Sequence, residues 1–471
     1  MRIAYVCADP GIPVFGTKGA SVHVQEVLRV LLDAGHHVDL LCRRTGGEPW
    51  PAAAAAIAAG QLAVHDLGRV TGEDLATREL RAMAADLDVA AALETLGGPA
   101  GFDVVYERYS LWSRAGSAYA HRHGVPSILE VNAPLPQEAA RHRGLVHVDQ
   151  AWTTAREAIG AATAVVCVSE PVADWVHGVL ADAEPCPGDR PRVVVEANGV
   201  DVDRIVPGPV PVPGVVAGPF TVGFVGTLKP WHGTETLLTA HALLRRSVPD
   251  ARLLLVGDGP QAEALRAQTH RLGISDAVDM TGAVTPLDIP ALLHRMDVAT
   301  APYPGDGEGY FSPLKVYEYM AAGLPVVASA VGQLPQVLEH ASTGFLIPGS
   351  DPIALAGMLH VLADDQWLRD RIGTAARAHV VEGHTWRHVV ERSLAAAGLT
   401  LADTTAQRGH EDVDNPALVD KSALADNPAL ADNPAVGDKS AVGDKSAVGD
   451  KSAVGDKSAV GDKSAVGAGV G

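Results

Sequence analysis

Short apolar runs bounded by glycine-rich or polar segments alternate with stretches in which apolar residues recur every three or four positions. Arg2 to Cys7 is the first run, and from Ser21 a helix is predicted with Val24, Val27, Leu28, Leu31 and Leu32 on one face, before the strand Val38 to Cys42. Further strands are expected over 61–66, 103–106, 126–131, 163–168 and 192–196, with helices near 73–95, 111–122, 147–160 and 170–179. Residues 1–205 therefore read as one doubly wound α/β domain of Rossmann-like type. Residues 206–219 alternate Pro and Gly with small apolar residues and carry neither period, so they are expected to be a hinge. Phe220 restarts the pattern with the strand FTVGFVG, a helix over 234–246, the strand RLLLVG, a helix over 260–272, and strands at 277–280 and 297–301 around a helix over 288–294. A second Rossmann-like domain over 220–380 follows, with a last helix in 381–402 expected to return to the first domain.

The stretch APYPGDGEGYFSPLKVYEYMAAGLPVVASAVGQLPQV, Ala301 to Val337, carries the densest chemistry. Ser312 and Pro313 are predicted to start a helix, because Ser caps free N–H groups and Pro gives up an N–H that lacks a partner there. Gly323 should stop it, and Val326-Val327-Ala328 should form a buried parallel strand. Leu314, Tyr317 and Ala321 share a face, which leaves Lys315, Glu318 and Tyr319 at or beyond the edge of the packed stripe. Glu318 lies within two turns of a helix N-terminus suited to a phosphate, and its carboxylate can accept two hydrogen bonds from a vicinal diol. A phosphate site beside a diol acceptor suits a nucleotide sugar. Two glycine-rich loops sit at strand ends: GIPVFGTKGAS, with Gly16, Lys18 and Gly19, and Gly226 to Gly233, in which Pro230-Trp231 stiffen the loop that aims Lys229 and His232. GDGPQA, Gly257 to Ala262, fits G-x-G-x-x-A with Asp279 beyond it, so an NAD(P)-type oxidoreductase is the alternative reading.

At 471 residues the chain exceeds a single core, and with 47% apolar residues it can fill two. The formal charge of −19 argues against nucleic acid and against an anionic bilayer. The runs His121-Arg122-His123 and Arg141-His142-Arg143 read as solvated helix faces. No uninterrupted apolar run approaches the ~18 residues of a membrane span, and MRIAYVCADP reads as a strand start, so a cytoplasmic location is expected. Cys7, Cys42, Cys167 and Cys186 show no metal-ligand spacing and are expected to be reduced. Beyond Asp403, Asp recurs every six residues, ending in copies of GDKSAV; with only Ala, Val and Leu to bury, 403–471 is expected to be a disordered tail.

FSPLKVYEYMAAGLPVVAS closely resembles the nucleotide-sugar helix of glycosyltransferase family 4, a retaining family with the GT-B fold, and the resemblance extends over residues 1 to 395. It implies two Rossmann-like domains facing a cleft and transfer of a sugar from a nucleotide-diphosphate sugar to an acceptor hydroxyl, with no metal and no cofactor beyond the co-substrate. It implies that Glu318 holds the donor ribose, while the family's earlier Glu is represented here by Tyr310 or by Glu308 in the loop before it. Phe311, Ser312, Pro313 and Leu314 complete the helix entry. Gly16 and Gly19 match the loop over the donor phosphates, and Ala283 and Val284 the segment whose backbone pairs with the base. Asn198-Gly199-Val200-Asp201 matches the turn before the hinge. The family's Arg and Lys on the diphosphate fall here at Thr227 and His232, which leaves Lys229 and His232 as the candidate cations and catalytic groups. A His common at the end of the strand 126–131 is missing; Glu130 and Asn132, on one side of that strand, are the candidates to meet a sugar hydroxyl. A small soluble acceptor is favoured over a lipid, and a non-catalytic binding protein of the same fold is the further alternative, since these positions depart from the family pattern.

Overall fold

The computed structural model describes residues 1–98, 100–182, 190–209, 218–305, 309–310 and 312–401. The expected tail, Cys186, most of the hinge, Glu308 and Phe311 lie outside the described residues. Two all-parallel sheets organise the rest. Strands β1 (Arg2–Cys7), β2 (His37–Cys42), β3 (Leu62–Asp66), β4 (Val104–Arg108), β5 (Ser127–Val131), β6 (Ala164–Cys167) and β7 (Arg192–Val195) form the first, in the order β3-β2-β1-β4-β5-β6-β7. Strands β8 (Thr221–Val225), β9 (Arg252–Val256), β10 (Val278–Met280), β11 (Val298–Ala301), β12 (Val326–Ser329) and β13 (Phe345–Ile347) form the second, in the order β10-β9-β8-β11-β12-β13. Both orders reverse beside their first strand, between β1 and β4 and between β8 and β11. The crevice outside the carboxyl ends of the strands at such a point is where open α/β sheets take ligands.

Near-continuous apolar strands are buried on both faces because helices cover each sheet twice. On one side of the first sheet Ile3, Tyr5, Leu40 and Tyr106 pack against Val24, Leu28 and Leu31 of the helix Gly19–Asp33; on the other, Ala4, Val6 and Val105 meet Val89 and Leu93. Tyr5 and Tyr106 stack at 5.2 Å. The helices Pro51–Ala58 and Leu135–His142 interrupt segments without a clear period: the first is almost all Ala, and the second carries Pro in its first turn. The helices Pro352–Asp364 and Gln366–Gly383 finish the second domain, each capped by an Asp whose carboxylate accepts a backbone N–H from its first turn.

The chain crosses between domains twice, and the crossings run side by side. Val200 N–H donates to His384 O at 2.9 Å, and Trp386 N–H donates to Val200 O at 3.3 Å. A Cβ on Gly199 would lie 2.7 Å from Trp386 N, so this approach requires Gly. The helix Trp386–Ala396 then buries Trp386, Val389, Val390 and Leu394 in the first domain's core.

Two expectations about the donor helix are corrected. It spans Leu314–Ala321 with Pro313 as the flanking residue and no side-chain cap; the Ser312 hydroxyl instead accepts from the backbone of Asn198, so a contact across the cleft wins over a local cap. Tyr319 is fully buried, its hydroxyl accepting Val225 N–H at 2.6 Å, because one polar tip suffices to bury the ring against β8.

Candidate active site

The donor helix is held at its N-terminal end by a chain of polar contacts that reaches into the first domain. The Asn198 amide donates to Ser312 O at 2.6 Å, which fixes the amide's orientation, and Asn198 Oδ1 accepts from His23 Nδ1 at 2.8 Å. His23 Nε2 faces Glu130 Oε1 at 2.8 Å. Arg108 donates to the same oxygen at 2.7 Å, Asn132 donates to it as well, and the Tyr106 hydroxyl donates to Oε2 at 3.0 Å. Burial alone would raise the Glu130 pKa, but His23, Arg108 and Asn132 outweigh it and hold it down at about 2. Glu130, one of the two candidates to meet a sugar hydroxyl, has both carboxylate oxygens engaged by protein groups. Four groups converge on a carboxylate with 5% exposure, so it ties β4, β5 and the helix Gly19–Asp33 together. Asn132, half-buried, is the polar residue of the pair nearer the surface.

Glu318 sits at the seam of the domains. Its Oε1 lies 3.6 Å from Arg204 Nη2, and the same nitrogen lies 3.6 Å from Glu26 Oε1 on the helix Gly19–Asp33. Burial raises the Glu318 pKa, Arg204 opposes it, and Glu26 adds to it. One guanidinium thus faces a buried carboxylate, Glu26, and a partly buried one, Glu318, from opposite domains. Neither Arg204 nor Glu26 carries a local sequence signal, because their pairing exists only once the hinge turn brings 201–205 against that helix.

Lys315, one turn before Glu318 on the same helix, was also missed by the stripe argument. Its Nζ is buried with no hydrogen-bond partner among the described residues. It lies 4.1 Å from the Phe224 ring centre and 5.4 Å from that of Tyr303, and a Cβ on Gly226 would come within 2.8 Å of it. Burial pushes its pKa down to about 7, with Glu318 opposing. The i, i+3 spacing to Glu318 is the signal that could have found it, since such a pair shares a face. The assignment of positive charge to His232 is corrected: burial, together with Lys315 and Lys229, pushes its pKa down to about 3, and its Nδ1 donates to Thr227 O, so the ring is neutral. Lys229 is half-buried, its Nζ 4.5 Å above the Trp231 ring.

Two family models match the chain: "Glycosyltransferase Family 4" over residues 17–204 and "Glycosyl transferases group 1" over 219–365. Between them they take in the whole second sheet, the first sheet apart from β1, and every described candidate except Gly16. The chain belongs to glycosyltransferase family 4. It is similar to a D-inositol 3-phosphate glycosyltransferase of Jonesia denitrificans, 27% identical over 87% of this chain and 98% of that protein. It is also similar to a glycogen synthase of Mycobacterium tuberculosis, 26% identical over 87% and 96%. Two solved structures share the GT-B fold. Sucrose-phosphate synthase from Thermosynechococcus elongatus matches with TM-score 0.62 at 20% identity, covering 83% of this chain and 97% of that one. Anabaena Alr3699/HepE in complex with UDP-glucose matches with TM-score 0.60 at 19% identity, covering 84% and 99%.

In this family 4 glycosyltransferase the first glycine loop reaches the donor helix of the second domain. A Cβ on Gly19 would touch Leu314 Cδ1 at 3.6 Å, which places the first loop over the donor helix entry; Gly16 O accepts from Gln25 at 2.8 Å, which pins that loop to its own helix. Tyr310 turns toward the first domain: its hydroxyl donates to Glu138 at 3.1 Å and its carbonyl accepts from Ser169 at 2.5 Å, so the ring bridges the domains. The backbone groups of Ala283 and Val284 bond to no other described residue, and both residues lie at the carboxyl edge beyond β10. The turn Gly257-Asp258-Gly259 is filled by protein. Asp258 O accepts Leu228 N–H, and Cβ atoms on Gly257 and Gly259 would fall 2.2 and 2.4 Å from the carbonyls of Gly226 and Leu228. Those glycines admit a neighbouring loop where the dinucleotide reading needs a pyrophosphate. Among the described residues no group of three or more His, Cys, Asp or Glu is arranged to hold a metal, and no helix is long and apolar enough to cross a membrane.

Proposed function

We propose that the cleft transfers a sugar from a nucleoside-diphosphate sugar to a hydroxyl of a small soluble acceptor with retention at the anomeric carbon. The observation that supports this reading best is the convergence of Glu318, the Gly226 loop and Lys315 at the carboxyl edge of the second sheet, opposite the Gly19 loop. Glu318 takes the ribose hydroxyls, and the backbone of Ala283 and Val284 takes the base. The bond from C1 to the diphosphate oxygen breaks and the acceptor oxygen bonds to C1 on the same face. The acceptor's proton passes to the departing diphosphate oxygen. The protein supplies orientation and charge stabilisation without a covalent nucleophile. Buried, free thiols at Cys7, Cys42 and Cys167 fit a reducing, cytoplasmic setting.

Since Alr3699/HepE is described in complex with UDP-glucose, a uridine nucleotide is the first probe. In a thermal-shift panel of UDP-, GDP-, ADP- and dTDP-sugars with NAD as control, a matched sugar nucleotide at 100 times its Kd should add about 2.7 kcal/mol of stability. Stabilisation by NAD alone would overturn the reading, and binding without turnover on any acceptor would mark a non-catalytic relative. Turnover should survive EDTA, because lysine side chains lie beside the expected diphosphate position. Loss on chelation with rescue by Mn²⁺ would assign that charge to an ion.

A further inference from the structure

The structure holds an ammonium group whose surroundings are incomplete. Lys315 Nζ has three N–H bonds and uses none on a described residue. The rings of Phe224 and Tyr303 offer it only their faces, and Gly226 keeps its approach clear of a side chain. The other basic candidates give less: His232 is neutral, and Lys229 rests on the exposed Trp231 ring. A buried cation without an anion is costly, and such a site is completed by an anion arriving from outside.

We propose that Lys315 is the principal cation for the donor's diphosphate, holding it under the Gly226 loop from the donor helix and so neutralising the leaving group. This rests on the reading of the cleft as a nucleotide-sugar site and adds a residue and a charge mechanism to it. The titratable and charged groups facing Lys315 are Glu318 on its own helix, His232 and Lys229 on the loop after β8, and Tyr303 after β11; Arg204 and Glu26 stand behind Glu318. None of them places an anion at hydrogen-bond distance from Nζ. With a free-state pKa of about 7, the lysine is partly deprotonated at neutral pH. An arriving diphosphate raises that pKa, so binding takes up protons. Affinity is then fully present below the free pKa and is lost as pH rises toward the bound one.

The test is calorimetric titration of the full chain with UDP, and with GDP, ADP and dTDP, in two buffers of different ionisation enthalpy. Wild-type protein should take up protons above pH 7, and its affinity should fall about five- to tenfold by pH 8.5. Lys315→Met keeps the length of the side chain without its charge. It should bind about ten- to a hundredfold more weakly, lose the proton uptake, and melt no lower than wild type in the free state. Equal affinity of Lys315→Met and wild type overturns the proposal. So does wild-type binding without proton uptake, however the variant folds. Failure of the wild type to bind any of the four nucleotides removes the functional reading and this proposal with it.

Discussion

Replacing Glu130 by alanine should destabilise the protein by roughly 3–5 kcal/mol, because it leaves Arg108 buried without its carboxylate and takes away the group that His23 faces. That is a large fraction of the stability of an ordinary domain. The same contacts predict the acid response. Glu130 has its pKa held down at about 2 from an ordinary 4.5, so its contribution is present above the unfolded-state pKa and is lost as pH falls through about 2. The difference corresponds to about 3 kcal/mol, which the alanine variant should lack at neutral pH. Melting curves of the two proteins between pH 2 and 7 measure this directly, and the gap should narrow on acidification. The milder Glu130→Gln separates anchoring from sugar contact. Weakening an anchor loosens the Asn198–Ser312 clasp, so binding of free nucleotide and of sugar nucleotide should weaken together. If only the sugar nucleotide suffers, Glu130 reaches the sugar after all.

Glu318→Gln should weaken donor binding about ten- to a hundredfold while leaving the fold intact, since a hydrogen bond donated to a charged group is worth roughly 1.5–3 kcal/mol. Burial raises the pKa of Glu318, so its ionised form costs folding stability at neutral pH; the neutral amide removes that cost, and the variant should melt at or above the wild-type temperature. The loss is expected equally for free nucleoside diphosphate and for sugar nucleotide, because both carry the ribose. Unchanged donor affinity in a calorimetric titration removes Glu318 from the ribose. A fall in melting temperature would mean that its contact with Arg204 holds the domains together.

The architecture was legible because buried parallel strands are written as apolar runs: Arg2–Cys7, Val38–Cys42 and RLLLVG could hardly be anything else between glycine-rich turns and amphipathic helices. The helix that carries Glu318 was legible for a similar reason, since it and the following strand form one continuous local pattern. What escaped depends on partners distant in the chain. Lys315 lies outside the local stripe, yet folds over Phe224 from another strand. Ser312 has the side chain of a cap, but Asn198 claims it. His232 has the residue type of a cation, and only its enclosure by Phe224, Trp231, Tyr303 and Lys315 makes it neutral. Glu130 looked like a pocket residue because alternation along β5 gives its side of the sheet; its depth beneath the surface is set by Arg108 and Tyr106 on the neighbouring strand β4.

The paired crossings at Val200 and Thr385 decide which movements the cleft can make. A single tether between two bodies behaves as a ball joint, free to swivel in every direction. Two tethers laced to each other by backbone hydrogen bonds behave as a door on a pin, with one easy axis and stiff resistance to torsion about the others. Glu318 with Arg204 and Glu26, and Asn198 with Ser312, all lie near that pin, where swinging displaces atoms least. Tyr310 and Gln333, which reach across to Glu138, Ser169 and Val168, act as latches. Rotation about the pin therefore parts the latch contacts before it disturbs the Asn198–Ser312 and Arg204–Glu318 contacts beside it.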